Sequence, residues 1–177
     1  EFQVDFTHMD LAGELGRFEA RLSDREHQLD ILESLLSNRK LEEQSWLSGR
    51  PVDKGWVSSH YGPRTDPFSG KQAMHNGIDF AGKEGSDVLS VAAGVVTWTG
   101  TKSGYGNLVE VSHGDGFVTR YAHNKKNLVE PGDVVRKGQV IAEMGSSGRS
   151  TGAHVHYEVF KHGRSVDPSS YVARTRR

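Results

Sequence analysis

A mainly β domain preceded by a helical segment is the fold class that this sequence predicts, on three observations. Glycine is abundant, 21 residues against 5 prolines, and supplies the positive φ that tight hairpins need. Beyond residue 51 the chain runs through short stretches of β-branched and aromatic residues separated by glycine turns. Before that point the composition is charged, and apolar residues recur at spacings of three and four.

The helical pattern covers residues 10–46. Leu11, Leu15, Phe18, Leu22, Leu29, Leu32 and Leu36 define an amphipathic helix or a coiled-coil seam. The same register places Arg25, Arg39 and Glu43 at seam positions, and Gly13 and Gly16 weaken the first turns by up to ~1 kcal/mol each. Such a helix is either a linker lying on the β domain or, the favoured reading, the end of a coiled coil whose remainder is missing, with the rest of that coil or a second copy of the chain in a homodimer as partner. Ser48-Gly49-Arg50-Pro51 ends the pattern, because proline lacks the donor and disfavours helical geometry in the residue before it. The expected organisation is therefore a helical segment and linker over 1–50, a β domain over 51–172 and a basic tail over 173–177. Within the β domain, strands are expected at 88–99, 108–112, 117–123, 139–144 and 154–160, with His113-Gly114-Asp115-Gly116 as a hairpin turn. Several antiparallel strands in so short a stretch make a compact sandwich or barrel-like sheet.

Composition narrows the chemistry. A net charge of −1 gives no basic footprint for nucleic acid and no cationic face for a membrane surface. There is no cysteine among the 177 residues, so disulfides and thiolate metal sites are excluded, and a bound zinc would have to be held by His and carboxylate. Nine histidines make that feasible. No stretch approaches the ~20 apolar residues of a membrane span. The first residue is Glu1, which points to a processed piece or, with Phe2, a cloning scar; a membrane anchor is expected in a longer parent.

Two spaced groups carry the chemistry: His75-Asn76-Gly77-Ile78-Asp79, and His154-Val155-His156 at the head of a strand continuing Tyr157-Glu158-Val159-Phe160. In an extended strand, residues two or four apart point the same way, so each group can present both polar side chains to one cleft. Catalytic zinc takes three protein ligands from this set of residue types and leaves one position open. Polar residues on the solvent side of a half-exposed sheet would show the same spacing, but a further histidine in Arg120-Tyr121-Ala122-His123 ends another strand and weighs against coincidence. Spacing does not distinguish His154 from His156. The remaining histidines, His8, His27, His60, His113 and His162, have no partner in the pattern and are expected at the solvated surface.

Taken together, H-x-x-x-D, H-x-H, R-Y-A-H, Tyr105-Gly106-Asn107 and the stretch from Gly145 to His156 (G-S-S-G-x-S-T-G-x-H-x-H) resemble the lysostaphin-type (LytM) peptidoglycan endopeptidases of peptidase family M23. The resemblance covers roughly residues 55–171. It implies a Zn2+ site of His75, Asp79 and His156, with His123 and His154 unligated beside it as catalytic residues, and a groove walled by loops that include Tyr61-Gly62-Pro63-Arg64. Some members have lost these residues and act only as amidase activators; this chain keeps all five. Tyr105 and Asn107 are candidate substrate contacts. No glutamate stands between the ligands as in H-E-x-x-H enzymes, so the spare histidines would carry proton transfer, in an order that the sequence leaves open.

The implied function is hydrolysis of peptide cross-links in peptidoglycan, with stem peptides as partner and the periplasm or cell envelope as location. D-Ala to diaminopimelate bonds and glycine bridges are both open. The competing function is a noncatalytic peptidoglycan-binding regulator of other hydrolases. A third similarity, of Gly94-Val95-Val96 and the stretch from Pro131 to Gln139 to the hammerhead turns of biotinyl and lipoyl carriers, lacks the modifiable lysine and is one of strand-and-turn geometry only.

Overall fold

The computed structural model describes residues 11–172, and the backbone alone at residues 11, 12 and 38–43. The basic tail and His8 therefore lie outside the described residues. Packing divides the chain into two compact units, with the break between Glu43 and Gln44.

The first unit is built on one helix, α1 (Leu11–Ser45), whose 35 residues would extend about 50 Å. Its seam side chains Leu15, Phe18, Leu22, Leu29, Leu32 and Leu36 are all exposed. Arg25 bonds Gln28 along the helix at 2.9 Å, and Gln28 bonds Asp24 at 2.8 Å. No helix among the described residues is long and apolar enough to cross a membrane.

The second unit is antiparallel β. Its strands are β1 (Trp56–Ser59), β2 (Gly62–Thr65), β3 (Gln72–His75), β4 (Ile78–Ala81), β5 (Asp87–Leu89), β6 (Gly94–Lys102), β7 (Gly106–Gly114), β8 (Phe117–Asn127), β9 (Val134–Val135), β10 (Val140–Met144), β11 (His154–Lys161) and β12 (Arg164–Val166), closed by one turn of helix, α2 (Ser169–Val172). Ten strands form one sheet, in the order β1-β4-β11-β8-β7-β6-β9, with β10 paired to β5 and β8 and β12 paired to β11. The remaining two, β2 and β3, pair with each other.

Local chemistry explains the turns. Asp115 and Gly116, at φ of 47° and 73°, occupy the two left-handed positions of a two-residue hairpin between β7 and β8, the geometry that matches strand twist. The run expected as one strand over 88–99 is instead two, β5 and β6. Between them Ser90 turns its Oγ onto the Ala92 carbonyl at 2.7 Å, and its own carbonyl accepts from the Gly138 amide at 2.8 Å. These bonds take the backbone out of any ladder.

One sheet face makes the core. Phe80, Tyr121 and Tyr157 are fully buried, with ring centroids of 6.5 Å for Phe80–Tyr157 and 5.5 Å for Tyr121–Tyr157. Val88, Val96, Val109, Val111, Val135, Ile141 and Met144 pack around them, and each such side chain contributes roughly 1.5–3 kcal/mol by leaving water. Residues 44–52 belong to this unit. The Ala93 amide donates to the Gln44 carbonyl at 2.6 Å, and Leu47 and Val52 are buried in the core.

His113, expected at the surface, is half-buried here. Its Nδ1 donates to the Ala93 carbonyl at 2.8 Å, and its Nε2 lies 2.7 Å from Thr119 Oγ1, which also bonds the Tyr121 hydroxyl. Burial pushes its pKa below the ordinary histidine value. The ring closes the polar end of the core, a role that pattern reading did not distinguish from solvation.

Candidate metal centre and catalytic cleft

The opposite face of the same sheet holds the histidines. Along β11, Val155, Tyr157 and Val159 turn to the core, which leaves His154, His156 and Glu158 facing outward by strand alternation. Asp79 on β4 stands directly opposite His156 in the ladder. His75 arrives differently. It ends β3, in the two-stranded sheet, and the turn Asn76-Gly77 separates it from β4. The four-residue spacing of His75 and Asp79 is thus bridged by a turn rather than by one strand face. Gly77 makes that turn possible: a Cβ there would lie 2.5 Å from the Tyr157 carbonyl oxygen and 2.7 Å from His156 Cε1.

His123 breaks alternation. Its neighbours Tyr121 and Ala122 face the core and the cleft in turn, so a regular strand would send His123 to the core. At φ of 63° it turns to the cleft instead, beside a bulge in the β8–β10 pairing. A non-glycine residue held in the left-handed region costs on the order of 1 kcal/mol or more, and here it re-aims the imidazole into the cleft.

These residues line an open cleft of about 260 Å³, together with Arg64, Tyr105, Arg149 and Glu158. One ligand atom each from His75, Asp79 and His156 falls within 4.8 Å of the others. His75 Nε2 is 3.1 Å from Asp79 Oδ1 and 3.1 Å from His156 Nδ1, and His156 Nδ1 is 2.7 Å from Asp79 Oδ1. Three donors held at about 2.0–2.1 Å from one tetrahedral ion would lie roughly 3.3 Å apart, so the spacing suits zinc.

The tautomers agree with that fit. His75 Nδ1 donates to the His60 carbonyl at 2.7 Å, which leaves Nε2 as a bare acceptor. His156 Nε2 faces Glu158 Oε1 at 3.2 Å, which leaves Nδ1 bare. Three acceptors then converge on one point, and a cation must sit among them, either a proton on His156 or a metal ion. Electrostatics respond accordingly. Burial pushes the His156 pKa down, but hydrogen bonds to Asp79 and Glu158 reverse it and raise the imidazole to about 9. Burial likewise opposes ionisation of Asp79, yet the adjoining imidazoles of His156 and His75 hold its carboxyl well below the usual range. Arg64 holds the other carboxylate oxygen, with Nη1 3.1 Å from Asp79 Oδ2.

His123 and His154 stand beside the cluster with ring centroids 4.7 Å apart. His123 Nδ1 donates to the Ser147 carbonyl at 2.7 Å and His154 Nδ1 to the Gly152 carbonyl at 2.8 Å, so both turn a bare Nε2 outward. For His154 that atom lies 3.8 Å from Asp79 Oδ1. Burial depresses His123 to a pKa of about 4 and keeps the ring neutral.

The two expected substrate contacts differ. Tyr105 lines the cleft and points its hydroxyl at Glu158 Oε1, at 3.1 Å. Asn107 is not among the cleft-lining residues. Its amide nitrogen donates to the carbonyls of Asn124 and Lys125 at 3.1 and 3.2 Å, and its oxygen accepts from Thr101 at 2.9 Å. Its side chain pins the strand ends behind the loop. Sequence reasoning did not single out Arg64 and Glu158, which line the cleft and contact Asp79 and His156. Continuing the alternation of His154 and His156 by one more step would have found Glu158.

Comparisons with known proteins place this geometry. The model of "Peptidase family M23" matches residues 73–168. A curated relative, the peptidoglycan DD-endopeptidase ShyA of Vibrio cholerae, is 43% identical over 119 residues, 66% of this chain and 28% of its own length. The chain spans about a third of the length of the curated relatives it matches. Among solved structures, a zinc-containing peptidase from Vibrio cholerae is similar at a TM-score of 0.64 and 39% identity, over 68% of this chain and 38% of that one. The catalytic domain of lysostaphin from Staphylococcus simulans is similar at a TM-score of 0.62 and 30% identity, over 68% of this chain and 93% of that one. The antiparallel β unit with its His-Asp-His cleft and the match over residues 73–168 lead to one conclusion: the chain belongs to peptidase family M23, with the lysostaphin-type fold.

Proposed function

We propose that this chain is a zinc-dependent endopeptidase that hydrolyses peptide cross-links in bacterial peptidoglycan. The observation that carries the proposal is the convergence of three acceptors, His75 Nε2, Asp79 Oδ1 and His156 Nδ1, next to two histidines with bare Nε2 atoms. His75, Asp79 and His156 would hold the ion. Zinc bound there supplies Lewis acidity toward a scissile carbonyl and lowers the pKa of water.

The chain's own groups do the rest. With Nδ1 committed to backbone carbonyls, His123 and His154 can each accept a proton only at Nε2. Each therefore begins as a base and becomes an acid after taking a proton, which it can return to the departing amine. The depressed pKa of His123 keeps it in the accepting form at any pH well above 4. Tyr105, half-buried at the cleft wall, is proposed to meet the substrate backbone once its hydroxyl leaves Glu158. Arg64 holds Asp79 Oδ2 so that Oδ1 stays turned inward.

The relative named as a peptidoglycan DD-endopeptidase supports cross-links ending at D-Ala over glycine bridges, and the proposed setting is the cell envelope. The domain division is proposed to follow the packing break, with catalysis confined to residues 44–172. The test is digestion of purified sacculi by zinc-loaded protein, with the released fragments separated by mass. Loss of cross-linked dimers and appearance of their monomers is expected. Unchanged sacculi with fully zinc-loaded protein would favour the noncatalytic alternative.

A further inference from the structure

Glu158 is the most deeply buried ionisable group on the cleft side, 1% exposed. A carboxylate so placed is costly unless it is paired, and leucine would fill the space at less cost. Its contacts say what it does instead. Oε1 lies 3.2 Å from His156 Nε2 and accepts from the Tyr105 hydroxyl at 3.1 Å. Oε2 has no hydrogen-bond partner among the described residues and faces Arg120 Nη1 at 3.6 Å.

Arg120 is itself immobilised. Its Nε bonds Glu110 Oε2 at 2.7 Å, Thr97 holds the other Glu110 oxygen at 2.8 Å, and the guanidinium lies 4.3 Å above the Phe160 ring. Glu158, Arg120 and Glu110 are direct cross-strand neighbours on β11, β8 and β7. They form a row of alternating charge across the sheet, and it ends on His156. Directly opposed side chains of opposite charge reinforce one another in an antiparallel ladder.

We infer that Glu158 is the positioning residue of the metal centre: fixed by the Arg120–Glu110 row, it takes the Nε2–H of His156 and so presents Nδ1, bare and correctly turned, to the ion. The inference rests on the metallopeptidase proposal and deepens it. The same oxygen holds Tyr105, so the row sets both a metal ligand and the cleft wall from one fixed carboxylate.

The experiment compares zinc-loaded wild type with Glu158→Gln and Glu158→Met. Zinc affinity is read by competition with a chromogenic chelator, and the His156 Nε2–H is read by proton–nitrogen NMR. Glu158→Met removes the acceptor and keeps the volume, so zinc should bind 10–100-fold more weakly, the usual loss for an outer-shell partner, and the Nε2–H resonance should shift or vanish. Glu158→Gln keeps a carbonyl oxygen for that N–H and should stay within about fivefold of wild type. If Glu158→Met fails to fold because Arg120 is stranded, the double variant Glu158→Met/Arg120→Met removes both charges and carries the same expectation. Wild-type zinc affinity and an unshifted resonance in the Met variant would overturn the inference alone. A wild-type protein that takes up no zinc would overturn the metallopeptidase proposal, and the inference with it.

Discussion

Along β11 the odd-numbered side chains Val155, Tyr157 and Val159 are fully buried against Phe80 and Tyr121, whereas the even-numbered His154, His156 and Glu158 turn to the cleft. The first set is held by area and shape, which tolerate substitutions that conserve volume. The second is held by matched donors and acceptors. Each imidazole gives one nitrogen to a fixed oxygen and turns the other to the cleft, so a change that keeps volume but alters the proton pattern destroys the arrangement. One strand thus separates the side chains that keep the chain folded from those of the proposed metal centre, and variants on the two faces should fail differently.

The largest effect is expected at Asp79, whose Oδ1 touches both His75 and His156. On the proposed ligand set, Asp79→Ala leaves two ligands, too few for a catalytic zinc. It should abolish zinc retention and sacculus hydrolysis together, with the β unit still folded. Metal content after dialysis, read beside circular dichroism, checks it; normal zinc and turnover would remove Asp79 from the ligand set. Replacement of His75 or His156 should have the same outcome.

His154→Ala and His123→Ala come next. Neither ring nitrogen reaches the acceptor cluster as a first partner, so zinc should be retained while hydrolysis falls by about 10²–10⁴-fold, the range for a lost acid or base. Acting on one reaction, the two should be far from multiplicative in the double variant. Zinc loss in His154→Ala with retention in His156→Ala would exchange their roles.

How much of this was legible in the sequence follows from periodicity. The helix over 10–46 and the strand at 154–160 are written in spacings of 3.5 and 2, and the structure places α1 at Leu11–Ser45 and β11 at His154–Lys161. The even spacing of His154 and His156 put both in the cleft. The spacing of His75 and Asp79 pointed to the same place for the wrong reason, since a turn that only a glycine at position 77 permits lies between them. His123 was found by motif, although its left-handed φ is invisible to alternation. Leu47 falls within the expected linker, because a single leucine after a helix has no period to announce that it packs in the core.

That leucine sharpens the contrast on the core side. A chain beginning at Gln44 keeps Leu47 in the core and should fold with zinc affinity intact. One beginning at Val52, where composition alone would cut, loses a side chain that is 5% exposed and should be about 2–5 kcal/mol less stable. Urea midpoints of the two truncated chains measure the difference. Equal midpoints would mean that the core closes without it.

The cleft face should reveal itself by pH. His123 has a folded pKa of about 4, below the roughly 6.5 of an unfolded histidine. As pH falls from about 6.5 toward 4, the unfolded chain therefore binds a proton that the folded ring refuses, and stability drops by up to roughly 3 kcal/mol. In the metal-free protein His156, raised to about 9, acts oppositely. Its contribution is fully present below about 6.5 and is lost as pH rises toward 9. Thermal melts of His123→Gln against wild type isolate the first effect; parallel curves below pH 6.5 would show that His123 is not held neutral.

The smallest effect lies on the core face, and its sign is the informative part. The Tyr157 hydroxyl is fully buried, 0% exposed for the whole residue, and has no hydrogen-bond partner among the described residues. Burial drives its pKa well above the ordinary tyrosine value. A buried hydroxyl without a partner has given up its water bonds for nothing, at a cost of about 1–3 kcal/mol, while the ring around it is packed against Phe80 and Tyr121. Tyr157→Phe removes the oxygen and keeps the ring. It should leave zinc affinity and hydrolysis unchanged and raise stability by about 1 kcal/mol, after allowance for the small void left by the oxygen. On the cleft face no isosteric loss of a polar atom should be neutral, as Glu158→Met tests. A lowered melting temperature in Tyr157→Phe would mean that the hydroxyl is bonded to ordered water in solution, and the core face would then share the cleft's dependence on matched donors and acceptors.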